Sequence, residues 1–171
     1  MYFESMPKIK YPWKDKDGKQ HQAIVPDIFR RIQLDKFFNN RLVLEDYVVE
    51  DTDSPEVVAH KYYGNSEYHW IVLMSNNITN PRTEWPKSYQ DLVKYVDDKY
   101  GSGNSTSVHH YEDKTTGLVV DWDAAKVASG EYLEITNFVY ENDLNDKKKQ
   151  IFLLNKRYVR DIIQQFKQLV K

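Results

Sequence analysis

Cysteine is absent from the 171 residues. That excludes disulfides, thiolate metal ligands and a cysteine nucleophile. Glycine is scarce, at 6 residues, and these form neither a G-x-G-x-x-G phosphate loop nor a G-x-S-x-G nucleophile elbow. No apolar run approaches the roughly 20 residues needed to cross a bilayer. The opening Met1-Tyr2-Phe3-Glu4-Ser5-Met6-Pro7 lacks the basic and apolar regions of a secretory signal. A soluble chain made in a reducing cytoplasm is the expectation. Neither charge sign dominates, since 24 basic against 26 acidic residues give a formal net charge of −2. No overall field therefore favours nucleic acid or an anionic membrane. What is abundant is tyrosine, 13 residues beside 7 Phe and 4 Trp, in a chain of mean hydropathy −0.74. Tyrosine joins an apolar face to a polar tip, which suits half-buried surfaces and interfaces better than a dry interior.

Turn and cap residues divide the chain. Lys8-Ile9-Lys10-Tyr11 and Gln22-Ala23-Ile24-Val25 flank Asp17-Gly18, a favoured type I′ pair, and predict an exposed β-hairpin. Asp27 is placed to cap a short segment, Ile28 to Ile32. Residues 42–49 are rich in β-formers and predict a strand. Ser54, Pro55 and Glu56 start a helix that Gly64 ends, and a second helix from near Asn65 carries Tyr68, Trp70, Ile71, Leu73 and Met74. Being apolar on more than one side, this second helix implies burial or a partner. Ser88 and Asp91 form the acidic version of a capping box before a third helix that runs to Gly101. Short strands follow at 108–111, 118–122 and 130–135, then a charged connector through Lys147-Lys148-Lys149. The chain closes on a strand, Ile151-Phe152-Leu153-Leu154, then Asn155 and a helix whose apolar stripe includes Tyr158, Ile162, Ile163, Phe166 and Leu169.

Catalytic constellations are weak. His109 and His110, adjacent in a strand, are expected on opposite faces and so unable to share one ion. Glu45, Asp46, Glu50, Asp51 and Asp53 could supply paired carboxylates for glycoside hydrolysis, but acids at a helix N-terminus have a structural reason to be there. The expectation is no catalytic residue, no metal, no cofactor and no small-molecule substrate.

Residues 47–78 carry a Tyr-Val-Val strand, an acidic turn, Val57-Val58-Ala59-His60-Lys61-Tyr62-Tyr63-Gly64 on the first helix, and Asn76-Asn77-Ile78 at the exit of the second. This resembles the front half of a LysM repeat. Thr52 and Pro55 depart from the usual residues of that motif, and its closing Gly-Gln-x-Leu-x-Ile-Pro element does not follow Ile78. A wider resemblance takes in the opening residues 1–11, Tyr62-Tyr63-Gly64-Asn65-Ser66, Tyr68-His69-Trp70, Asn80-Pro81, Trp85-Pro86 and the C-terminal strand and helix. On these the chain is similar to the LysM-bearing baseplate wedge subunit of contractile-tailed, T4-like bacteriophages.

The resemblance implies an α+β fold: a LysM-like strand–helix–helix core with additional helices, short strands, an N-terminal hairpin arm and a C-terminal amphipathic helix. The divisions are an arm at 1–41, the core with a third helix at 42–100, an irregular, short-strand insertion and connector at 101–150, and the closing strand and helix at 151–171. It implies a non-enzymatic part that joins neighbouring wedges around the tail hub. The partners would be other wedge and tail proteins, with no nucleic acid or membrane, in a virion assembled in the host cytoplasm. Scaffold or interface positions would be Tyr62, Tyr63, Tyr68, Trp70, Trp85, Ile162, Ile163 and Phe166. A peptidoglycan- or chitin-binding LysM protein is the alternative, and a glycan-cleaving enzyme a more distant one.

Overall fold

The computed structural model describes residues 6–27 and 40–170, and the Asp27-capped segment at 28–32 lies outside the described residues. The fold is mixed, with helices and small antiparallel sheets, as an α+β reading expects. The chain forms two compact units. One comprises Met1–Tyr47, Asp53–Thr79 and Phe152–Lys171, and the other Val48–Thr52 and Asn80–Ile151.

In the first unit the expected hairpin forms from β1 (Lys8–Lys14) and β2 (Gln20–Pro26), paired antiparallel. Its loop is wider than a two-residue type I′ turn. Lys14 opposes Gln20, and the Asp15 carboxylate accepts the Asp17 and Lys19 N–H groups at 3.1 and 2.9 Å. Gly18 supplies the left-handed residue, at φ +80°. An aspartate that captures local amides favours the larger loop over the tight one.

Leu42 and Val43, expected as strand, lie in a 3-10 turn, Arg41–Val43, whose Asn40 cap accepts Leu42 N–H. It leads into β3 (Leu44–Val48), which pairs with β7 (Gln150–Leu154). Helix α1 (Pro55–Tyr63) starts as its sequence dictates, with Ser54 Oγ accepting Val57 N–H at 3.3 Å. It ends on Gly64 at φ +77°, where a Cβ would be strained. Asn65 caps a 3-10 turn, Ser66–Tyr68, that runs into α2 (His69–Ser75). Trp70, Ile71 and Val72 are buried consecutively, so α2 is enclosed on more than one side.

Helix α7 (Val159–Leu169) follows a 3-10 turn, Lys156–Tyr158, whose Asn155 cap accepts Arg157 N–H. Its stripe enters the core of this unit. Ile162, Phe166 and Val170 pack with Trp70, Ile71, Leu154, Val43 and Met6. Each large side chain so buried contributes about 1.5–3 kcal/mol, which is why an isolated 11-residue helix holds here although it would fray alone.

The second unit contains α3 (Pro81–Glu84) and α4 (Tyr89–Tyr100). Helix α4 is capped as expected, with Ser88 Oγ accepting Asp91 N–H at 3.2 Å and donating to the Asp91 carboxylate at 2.7 Å. A three-stranded sheet of order β5-β4-β6 uses β4 (Val108–Asp113), β5 (Val119–Val120) and β6 (Tyr132–Thr136). Helices α5 (Ala124–Ser129) and α6 (Asn137–Lys149) were not expected. Helix α5 sits between Asp123 and Gly130 as N- and C-cap. The charged stretch ending in Lys147-Lys148-Lys149 is the last turn of α6 (Asn137–Lys149), not a connector. Its buried face is polar, formed by Asn137, Glu141 and Asn145, so no apolar period marks it. Three lysines at its end suit the negative pole of the helix.

Candidate functional site

Seven of the eight expected scaffold residues lie in the first unit. Trp70 and Phe166 are buried ring against ring, with centroids 4.8 Å apart and a 39° tilt. Ile162 is buried beside them, and Ile163, Tyr63 and Tyr68 are partly buried against the same cluster. Tyr63 meets Tyr68 edge-on at 6.2 Å and donates its hydroxyl to the Leu154 carbonyl at 2.9 Å. Burial raises its pKa above the ordinary phenol value. Tyr62 is half-buried and donates to the Glu45 carboxylate at 2.6 Å, while Lys156 Nζ lies 4.8 Å from its ring centroid. Burial and then Glu45 push its pKa up too. Trp85 belongs to the second unit, where it is buried directly after α3. Trp70, Trp85, Ile162 and Phe166 are buried, and the other four are partly buried.

The acidic cluster is dispersed into separate structural contacts. Glu45 also accepts from Asn155 Nδ2, and Asp46 pairs with Arg41 at 2.5 Å. The Asp53 side chain is almost fully buried, with Lys61 Nζ at 2.9 Å and Tyr47 hydroxyl at 3.1 Å. Asp51 accepts Tyr89 N–H at 2.9 Å. Each of these four carboxylates has a role in holding local structure.

The two histidines depart from expectation. Pairing of β4 with β6 shifts register between Val108 and His110, and a bulge of this kind breaks the alternation of side chains. His109 and His110 therefore face each other, with their Nδ1 atoms 2.8 Å apart. His109 stacks on Tyr140 at 4.0 Å, and His110 Nε2 reaches Glu112 at 3.0 Å. No group of three or more His, Asp or Glu among the described residues could hold a metal ion.

Glu141 anchors the polar face of α6. Its carboxylate takes Lys99 Nζ at 2.6 Å and the Tyr100 hydroxyl at 2.7 Å. Burial pushes its pKa up, but these two hydrogen bonds and the lysine charge outweigh burial and leave it below the ordinary carboxylate range. Asn145 clasps Lys87, accepting its N–H at 2.7 Å and donating to its carbonyl at 2.9 Å. Asn137 donates to the Asn104 carbonyl at 2.8 Å. The i, i+4, i+8 spacing of Asn137, Glu141 and Asn145 after the Thr136 cap was the available signal for this face.

The hairpin presents a different surface. Its register sets Ile9, Tyr11 and Trp13 opposite Val25, Ala23 and His21 on one face. Trp13 stacks on His21 at 4.7 Å, and His21 Nε2 meets Asp15 at 2.7 Å. Tyr11 remains 52% and Trp13 46% exposed, unusual for large aromatics arranged side by side. Among the described residues no helix is long and apolar enough to cross a membrane.

Comparison with known proteins bears on this assembly of buried anchors and exposed aromatics. The family model for "Base plate wedge protein 53" matches residues 1–127. Over 117 residues the chain is 26% identical to "Baseplate wedge protein gp53" of Enterobacteria phage T4, covering 66% of this chain and 59% of that relative. The chain thus spans less than two thirds of the relative's length. The family match takes in well over half of the chain, and the protein belongs to the base plate wedge protein 53 family.

Proposed function

We propose that this protein is a structural component of the phage tail baseplate wedge. In this role it joins neighbouring wedges around the central hub during virion assembly in the host cytoplasm. The family match over residues 1–127 carries this reading. The exposed aromatic face of the hairpin and the use of the acidic residues for internal contacts support it, because a joining part needs contact surface and rigid scaffold, not a cleft.

The scaffold itself reads as LysM-like with a long insertion. Strand β3, helices α1 and α2 and strand β7 follow one another as strand–helix–helix–strand, with the 74 residues 76–149 between α2 and β7. Strand β7 takes the part of the closing strand that does not follow Ile78.

Omitting the gene from an otherwise complete set of the same phage's baseplate genes tests the reading. The expected outcome is individual wedges that fail to close around the hub, restored by supplying the protein. Complete baseplates without it would refute the proposal. Strong saturable retention on purified peptidoglycan would instead favour a glycan-binding role.

A further inference from the structure

The register shift in β4 puts two imidazoles in direct contact. His109 and His110 stand with their Nδ1 atoms 2.8 Å apart, and their rings meet at 82°. On the other side of its ring, His110 Nε2 meets the Glu112 carboxylate at 3.0 Å. An ionised carboxylate only accepts, so His110 Nε2 carries a hydrogen. In the neutral pair His110 Nδ1 is then the bare nitrogen, and it accepts from His109 Nδ1–H. Two donors or two acceptors would not hold a contact of this length.

That arrangement fixes how many protons the closed pair can carry. A first added proton goes to His109 Nε2, the remaining bare nitrogen, which leaves the Nδ1–H···Nδ1 bond in place and makes it charge-assisted. A second has only His110 Nδ1 to sit on. Both facing nitrogens are then donors on two like-charged rings, and the contact must part. Every group around the pair belongs to the second unit. Glu112 faces His110 from β4 itself, and Glu141 of α6 lies close enough to His109 for their charges to interact. Each imidazolium thus has a carboxylate to favour it once the rings separate, although Lys99 of α4 already engages Glu141. The Tyr100 ring, also from α4, stands edge-on to His109 at 6.0 Å. Tyr140 of α6 stacks on His109 at 4.0 Å and meets His110 edge-on at 5.7 Å. On β6, Ile135 lies opposite His110 and brings no charge.

We propose that His109 and His110 form an acid-sensitive latch between β4 and α6. It is closed while the pair holds one added proton or none, and open when both rings are charged. Opening separates His109 from Tyr140 and frees the bulged end of β4 from the start of α6. The sign follows from the proton count. The open form binds one more proton than the closed form, so acid favours opening. Histidine suits this role because it ordinarily changes charge between about pH 5 and pH 8. The two protons are taken up in separate steps that belong to the pair, and only the second opens the latch.

Heteronuclear NMR of the histidine ring nitrogens in the full chain, from about pH 8 to about pH 5, tests this. The window stops above the range in which Glu141 titrates, because its carboxyl lies below the ordinary value near 4.5. At the upper end His110 should show Nε2–H and a bare Nδ1. Cross-relaxation between the His109 and Tyr140 rings should persist through the first step and be lost with the second. Far-UV circular dichroism should stay unchanged throughout, which separates opening from global unfolding. His110→Gln cannot take the second proton, so its His109–Tyr140 contact should survive across the window. Glu112→Gln removes the carboxylate that favours a charged His110 and should move opening to lower pH by about one unit or more. A parent contact that persists to the acid end would overturn the latch, and so would equal loss in the parent and His110→Gln. Should His110→Gln fail to fold, a Glu112→Gln profile that coincides with the parent's overturns it instead.

Discussion

The Asn76 carboxamide behaves as a strand neighbour to Phe152. Its Nδ2 donates to the Phe152 carbonyl at 2.8 Å, and its Oδ1 accepts the Phe152 N–H at 2.7 Å. The same Nδ2 also reaches the Val72 carbonyl at 2.8 Å, inside the last turn of α2. One side chain thus closes the C-terminal end of a helix and pairs the backbone of β7, two segments far apart in sequence. No hydrophobic contact supplies that directionality.

Asn76→Ala leaves the Phe152 N–H and two carbonyls without these partners. It should destabilise the protein by about 1–3 kcal/mol. Urea unfolding checks this, with a lowered midpoint and an unchanged slope as the expected result.

Phe166 lies against Trp70 in the core, whereas Ile163, three residues earlier, is only partly buried. Phe166→Ala should cost about 3–5 kcal/mol, and Ile163→Ala clearly less because less of that side chain leaves water. The contrast is read from paired denaturation curves. Limited proteolysis should find α7 cleaved first in the Phe166 variant.

The Glu141 carboxyl has a folded pKa below its ordinary value. Such a group adds stability that is present above the unfolded pKa, near 4.5, and lost as pH falls through the folded value. The gap in urea midpoint between the parent and Glu141→Gln should therefore be widest at about pH 6 and shrink toward about pH 3. A gap that does not change with pH would contradict the Lys99 and Tyr100 pairing.

Asn145 satisfies both backbone groups of Lys87. Asn145→Leu places an apolar side chain where the backbone needs partners and should destabilise by about 1–3 kcal/mol. Hydrogen exchange at the Lys87 amide should rise with it. An unaltered amide would mean that α6 is held by other contacts.

Much of the first unit was legible because its signals are local. Ser54, Pro55 and Gly64 mark α1 through caps and φ preferences that a few neighbouring residues decide. The α7 stripe is visible because apolar residues must recur at the helical period to share one face. Helix α6 was hidden for the converse reason. It buries Asn137, Glu141 and Asn145, whose partners Asn104, Lys99, Tyr100 and Lys87 come from other segments, and polar residues awaiting distant partners look like solvated chain. The histidine pair was misread because a bulge is a property of two strands, and β4 alone shows no sign of it.

The sequence by itself determined the excluded chemistries, the family resemblance, the capped helices and the hairpin, since composition and short-range conformational preference act within a few residues. Tertiary structure decided which carboxylates are engaged, how His109 meets His110, what α6 buries, and that Tyr11 and Trp13 stay open while Trp70 and Trp85 do not. All four are aromatic in the sequence. Burial depends on which distant segments arrive to cover a side chain, and local preference does not encode that arrival.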